Sequence, residues 1–125
     1  MAAGVLSYIG SLAIMGWGIA HLIPTRKVVA AFGEISEDNK RIITMEWITE
    51  GVALVFIGIL NAAVTYLDRS NSVTRVVYWV SFSALNTLSV VSLYTGFRNS
   101  LIVFKLCPFI FTLSSILIVA GGYLG

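Results

Sequence analysis

The stretch Arg41-Ile-Ile-Thr-Met-Glu-Trp-Ile-Thr-Glu-Gly-Val-Ala-Leu-Val-Phe-Ile-Gly-Ile-Leu60 reads as a membrane-spanning helix that carries two carboxylates. Beyond Arg41 it is almost wholly apolar, and a helix of about 20 apolar residues crosses a hydrocarbon core of ~30 Å. Glu46 and Glu50 stand one helical turn apart and share a face with Ala53 and Ile57. A charged group at the bilayer centre costs at least ~2.5–3.5 kcal/mol on insertion scales, so such groups face a bundle interior and find partners. The stretch therefore predicts a helical bundle with a polar site inside it.

The rest of the chain supplies that bundle. Of 125 residues, 58% are hydrophobic and only 11% are charged, with a mean hydropathy of +0.92; a soluble domain carries about 25% charge. Four apolar runs, at 3–23, 41–67, 74–95 and 101–124, are long enough to span. No segment alternates with period two, which excludes a transmembrane barrel. The first run lacks a basic leader and ends in His21-Leu-Ile-Pro24 rather than at a small-residue cleavage site, so it is read as a span and not as a signal peptide. The expected fold is all-α: one transmembrane domain over residues 1–125, an antiparallel up-and-down bundle of four spans. A dispersed net charge of +2 argues against nucleic-acid binding. A single cysteine, Cys107, excludes an internal disulfide and a multi-thiolate metal site, and argues against the dithiol chemistry of small four-helix membrane oxidoreductases.

Loops two and three, at 68–73 and 96–100, are short and polar, as between antiparallel neighbours. Loop one, at 24–40, has its own grammar. Pro24 can open a short interfacial helix through Val28-Val-Ala-Ala-Phe32, and Gly33 can close it with a left-handed cap. Ser36, Glu37 and Asp38 form the N-cap and acidic first turn of a long second span that starts outside the bilayer. Arg26, Lys27, Lys40, Arg41, Arg98 and Lys105 flank one side, against Arg69 and Arg75 on the other. The basic-residue rule then puts loops one and three in the cytoplasm and both termini outside. Small residues in span one (Gly4, Ser7, Gly10, Ser11, Gly16, Gly18) and span two (Gly51, Gly58, Ala62) mark where helices approach closely.

At a rise of about 1.5 Å per residue, Glu46 lies about one turn into the bilayer and Glu50 more than two. His21 lies at the same end, Lys105 about one turn into span four, and Asn86 near the middle of span three. Ser83, Asn86 and Ser89 form one polar stripe; Lys105, Thr112 and Ser115 form another, interrupted by Pro108. The candidate ligand-binding or proton-coupling residues are therefore Glu46, Glu50, His21, Asn86 and Lys105, with Lys105 the expected counter-charge of Glu50. Each has a plainer reading. His21 can cap its helix in the headgroup region beside Trp17, and Lys105 can snorkel. Glu46 can pair with Arg41 or Lys40, and Asn86 and the hydroxyls can stitch helices together.

Among the chemistries, no metal site is expected. The chain has one histidine and no repeated Glu-x-x-His. No nucleophile elbow accompanies His21. A desolvated carboxyl can exchange a proton for a cation, as in proton-coupled transport. Small multidrug transporters, however, hold their essential glutamate in the first span, which has none here. An intramembrane isomerase would use Glu46 or Glu50 as acid–base, with Trp17, Trp47, Trp79, Tyr78 and Tyr94 as walls; such aromatics also serve as interfacial anchors.

A glycine-rich first span ending in His21-x-x-Pro24, then Phe32-Gly33, then Arg41-x4-Glu46-x3-Glu50-Gly51 resembles the DoxX-like group of small four-helix membrane proteins. The resemblance covers mainly residues 10–60. It implies the four-helix architecture and links to quinone-associated redox subunits and other membrane complexes, and it carries over no catalytic residue. Glu50 and Lys105 depart from the pattern. The expectation is an integral protein of a prokaryotic inner membrane. It would bind a lipophilic or quinone-like ligand, or a partner subunit, at an intramembrane polar cluster, as a homo-oligomer or a subunit of a complex. The alternatives are a homodimeric proton-coupled carrier of small cations and an intramembrane isomerase.

Overall fold

Local chemistry sets where each helix starts and stops. The structure, a computed structural model, describes the backbone of residues 2–124 and the side chains of residues 4–124. Helix α1 (Ala2–Leu22) ends just before Pro24, whose ring disfavours helical backbone in the residue ahead of it. The short α2 (Thr25–Ala30) follows at once, and the Thr25 hydroxyl donates to the Leu22 carbonyl at 2.6 Å, tying the two together. Gly33 then turns the chain at a φ of +73°, a region open to glycine at little cost. Ser36 caps α3 (Glu37–Asp68), its Oγ accepting from the Asn39 amide at 3.2 Å. Across loop two, Asp68 Oδ1 accepts from the Ser70 amide and hydroxyl, and Asn71 caps α4 (Ser72–Thr95). Helix α5 (Ile102–Tyr123) carries Pro108 inside it.

These boundaries match the four expected spans and the interfacial helix. At 32 residues, α3 is ~48 Å long, well beyond a ~30 Å hydrocarbon core. All four long helices are long and apolar enough to cross a membrane.

The packing is the reverse of a soluble protein's. Large apolar side chains such as Val52, Phe56, Ile59, Val80, Phe109 and Leu113 lie on the outside, while Ser7, Ser11, Asn61, Thr65, Ser81, Ser89, Ser114 and Ser115 are buried. Lipid is as apolar as leucine, so it offers no hydrophobic drive for helix association, and close backbone approach with interhelical hydrogen bonds takes its place. Helix α1 sits between α3 and α5. Along α1 and α3, Gly18 meets Gly51, and Ser11 meets Gly58 one heptad further on. A β-carbon at Gly18 would lie 2.8 Å from the Gly51 carbonyl oxygen, and one at Gly58 would lie 2.6 Å from that of Ser11. On the opposite side of α1, Gly10 abuts the Ser114 carbonyl and Ser7 donates to the Ile118 carbonyl at 2.9 Å. Gly16 meets nothing within 4 Å, so it is not a packing glycine.

Helix α4 is held to α5 by hydroxyls and an amide. Asn86 Nδ2 donates to Ser115 Oγ at 2.9 Å, Ser89 Oγ lies 3.0 Å from Thr112 Oγ1, and Ser89 donates to the Pro108 carbonyl at 3.0 Å. Helices α3 and α4 meet chiefly near loop two, where Asn61 Nδ2 donates to Ser81 Oγ at 2.8 Å and the Thr65 and Tyr78 hydroxyls lie 2.7 Å apart. That leaves the opposite halves of α3 and α4 to form the walls of a cavity.

Candidate functional site

The space between α3 and α4 at the loop-one and loop-three end is a cavity of about 890 Å³. Glu46, Trp47, Glu50 and Ala53 line it from α3, and Leu88, Val91, Ser92 and Thr95 from α4. Phe104 and Cys107 of α5 add to its wall, and Val28, Ala31 and Phe32, from α2 and the turn after it, bound it near loop one. The site thus forms where the α3–α4 hydrogen bonds stop.

One wall is an ordered aromatic and ionisable group. The imidazole of His21 stacks on the indole of Trp47, with ring centroids 3.8 Å apart and planes 14° from parallel. Trp47 Nε1 donates to the His21 carbonyl at 2.7 Å, so one side chain fixes both the ring and the backbone of His21. Phe104 meets Trp47 edge-on, with centroids 5.9 Å apart. The His21 side chain is only 8% exposed, yet its Nε2 has no hydrogen-bond partner. It faces Glu50 Oε2 across 3.6 Å, too long for a good hydrogen bond. The Glu50 side chain is 37% exposed, towards the cavity that it lines.

Of the five residues expected at the site, the structure gathers three. His21, Glu46 and Glu50 line the cavity. Glu46 makes no ion pair among the described residues, because the two basic residues near it in sequence are engaged elsewhere. Lys40 Nζ lies 2.8 Å from Glu37 Oε1, and Arg41 lies 3.8 Å from Asp38 Oδ1. Lys105 does not line the cavity, and the group that faces Glu50 is His21 instead. The reason is angular: Phe104 and Cys107, on either side of Lys105 along α5, take the face towards α3. Asn86 belongs to the α4–α5 seam, bonded to Ser115 and the Phe82 carbonyl, and Ser83 is exposed and bonds back to Trp79.

Among the aromatic candidates only Trp47 is a wall. Tyr78 is fully buried near loop two, Trp79 donates to the Tyr123 hydroxyl at 2.9 Å, and Tyr94 is exposed. Trp17 packs against the core with its indole nitrogen unpartnered, without lining the cavity. Sequence reading missed Phe104, Cys107 and the α4 stripe of Leu88, Ser92 and Thr95. That stripe keeps the i, i+4, i+7 spacing of a single face, but it is mostly apolar and weakly polar, and the more polar stripe of the same helix is Ser83, Asn86 and Ser89. Among the described residues no three His, Cys, Asp or Glu side chains are grouped to hold a metal ion. No protein-family description, curated protein or solved structure matches the chain.

Proposed function

We propose that this chain is an integral membrane binding protein that takes a small lipophilic molecule into the α3–α4 cavity and anchors its polar end at His21 and Glu50. The observation that carries this reading is the cavity itself: about 890 Å³ with mostly apolar walls and one ordered polar group. Small-molecule sites have this character, with volumes of about 300–1,000 Å³ and few, fixed polar groups. A lipophilic ligand leaves lipid for walls that are equally apolar, so burial alone favours it little. Affinity and selectivity then rest on the polar anchor. The splay of α3 and α4 suits access from within the bilayer, and α2 with loop three bounds the cavity on a scale that suits a molecule better than a partner's helix. A quinone-like head group is one member of the class. The DoxX-like resemblance and the six-to-two bias of basic residues add a bacterial-type membrane setting with loops one and three in the cytoplasm.

Native mass spectrometry of the protein released from its own membrane tests the reading. We expect a bound species of defined mass at one per chain, lost in Ala53→Trp, which puts an indole into the cavity one turn from Glu50, and kept in Val80→Trp, which faces lipid. Identical adducts on all three proteins would end the proposal.

A further inference from the structure

We infer that the polar end of the ligand is a cation, so that the cavity selects a singly charged amphiphile such as a long-chain amine. This rests on the ligand-binding reading of the cavity and specifies its chemistry.

The argument is a balance of charge in a medium that tolerates little imbalance. Two carboxylates, Glu46 and Glu50, line the cavity, and no lysine or arginine does. The only basic group on the wall is the imidazole of His21. If His21 is protonated it offsets one carboxylate, and if it is neutral it offsets neither. With both carboxyls ionised, negative charge is left over on the cavity wall in either state of His21. Lys40, Arg41 and Lys105 do not line the cavity, and Lys40 and Arg41 lie against Glu37 and Asp38 on the first turns of α3. An uncompensated charge away from water is costly, whereas a paired one is far less so. A cation entering from the membrane supplies the missing partner. A neutral head group leaves the imbalance unchanged, and an anion adds to it.

A second, independent observation points to the same occupant. The His21 side chain is more than nine-tenths buried, its Nε2 is without a hydrogen-bond partner, and it lines the cavity. Between that nitrogen and Glu50 Oε2 lies a 3.6 Å separation that neither closes as a hydrogen bond. An ammonium N–H group placed beside them donates to the carboxylate and, with His21 neutral, to the imidazole as well. The aromatic rings of Trp47 and Phe104 stand at the same wall, and aromatic faces attract cations more strongly as water is excluded.

The test is equilibrium dialysis of the full chain in nanodiscs of zwitterionic lipid, with empty nanodiscs subtracted, against dodecylamine, dodecanol and dodecanoate at neutral pH. Dodecylamine should bind saturably at one per chain and at least about 10-fold more tightly than dodecanol, a difference of about 1.4 kcal/mol. Glu46→Gln with Glu50→Gln should weaken dodecylamine at least about 10-fold and leave dodecanol within about 2-fold. Glu46→Gln alone, at an exposed position outside every helix seam, supplies a folded variant if the double one is unstable, and should weaken dodecylamine selectively. If amine and alcohol bind equally and neither variant separates them, the cation assignment fails while the cavity reading stands. If none of the three compounds binds saturably, the cation assignment fails, and the cavity reading stands or falls on the native mass spectrum.

Discussion

Gly58 and Gly16 show how much the meaning of a residue depends on what lies opposite it. A β-carbon at Gly58 would strike the Ser11 carbonyl at 2.6 Å and Met15 Cβ at 2.7 Å, whereas one at Gly16 would meet nothing within 4 Å. Gly58→Val should therefore destabilise the bundle by about 1–3 kcal/mol, the usual cost of overpacking. Gly16→Ala should be neutral or should stabilise by up to about 1 kcal/mol through helix propensity. Reversible unfolding in mixed micelles reads both, and equal losses would remove Gly58 from the α1–α3 seam. The same logic applies to Glu50. Its partner at 3.6 Å is His21, so His21→Phe, which keeps a ring for Trp47 to stack on, should be coupled to Glu50→Gln by about 0.5–3 kcal/mol in a double-mutant cycle. Lys105→Met with Glu50→Gln should be additive to within about 0.5 kcal/mol. Coupling of Glu50 to Lys105 but not to His21 would overturn the placement of His21 opposite Glu50.

At the scale of the helix pair, the hydroxyl and amide ladders decide which helices hold together and which part. Asn86, Ser89, Thr112 and Ser115 stitch α4 to α5 along their middle, while Asn61, Thr65, Tyr78 and Ser81 stitch α3 to α4 only near loop two. The cavity occupies the length where the second ladder stops. Asn86→Leu should thus cost about 0.6–2 kcal/mol of stability, the range for intramembrane hydrogen bonds. Ligand occupancy, read by the same native mass spectrometry, should stay unchanged. A variant of full stability that loses the bound species would return Asn86 to the binding site.

For the molecule as a whole, the side of the membrane that the cavity faces decides which compounds can reach it. Six basic residues flank loops one and three against two around loop two, and in short loops this bias sets orientation. With Cys107 changed to Ala, a cysteine at Ser36 should be shielded from an impermeant thiol reagent in intact cells, and one at Ser70 should react. The opposite pattern would turn the mouth of the cavity outward and make it a receptor for external compounds.

What the sequence determined by itself is local in origin. Span lengths follow from runs of apolar residues. The Ser36 cap, the turn at Gly33 and the break at Pro24 follow from chemistry within a few residues. Even the shared face of Glu46 and Glu50 needs only the helical repeat. The tertiary structure decided what stands opposite each of these features. The four-residue spacing of Glu46 and Glu50 is blind to whether His21 of α1 or Lys105 of α5 completes the pair. The heptad spacings of Ser11 with Gly18 and of Gly51 with Gly58 are visible one helix at a time, but their antiparallel match appears only when α1 and α3 are laid together. The polar stripe of Ser83, Asn86 and Ser89 looks like a pocket in sequence and is mostly a seam in the fold. In lipid, hydroxyl and amide groups bind helices together as readily as they bind ligands. Which of the two they do is set by whether a neighbouring helix is close enough to answer them.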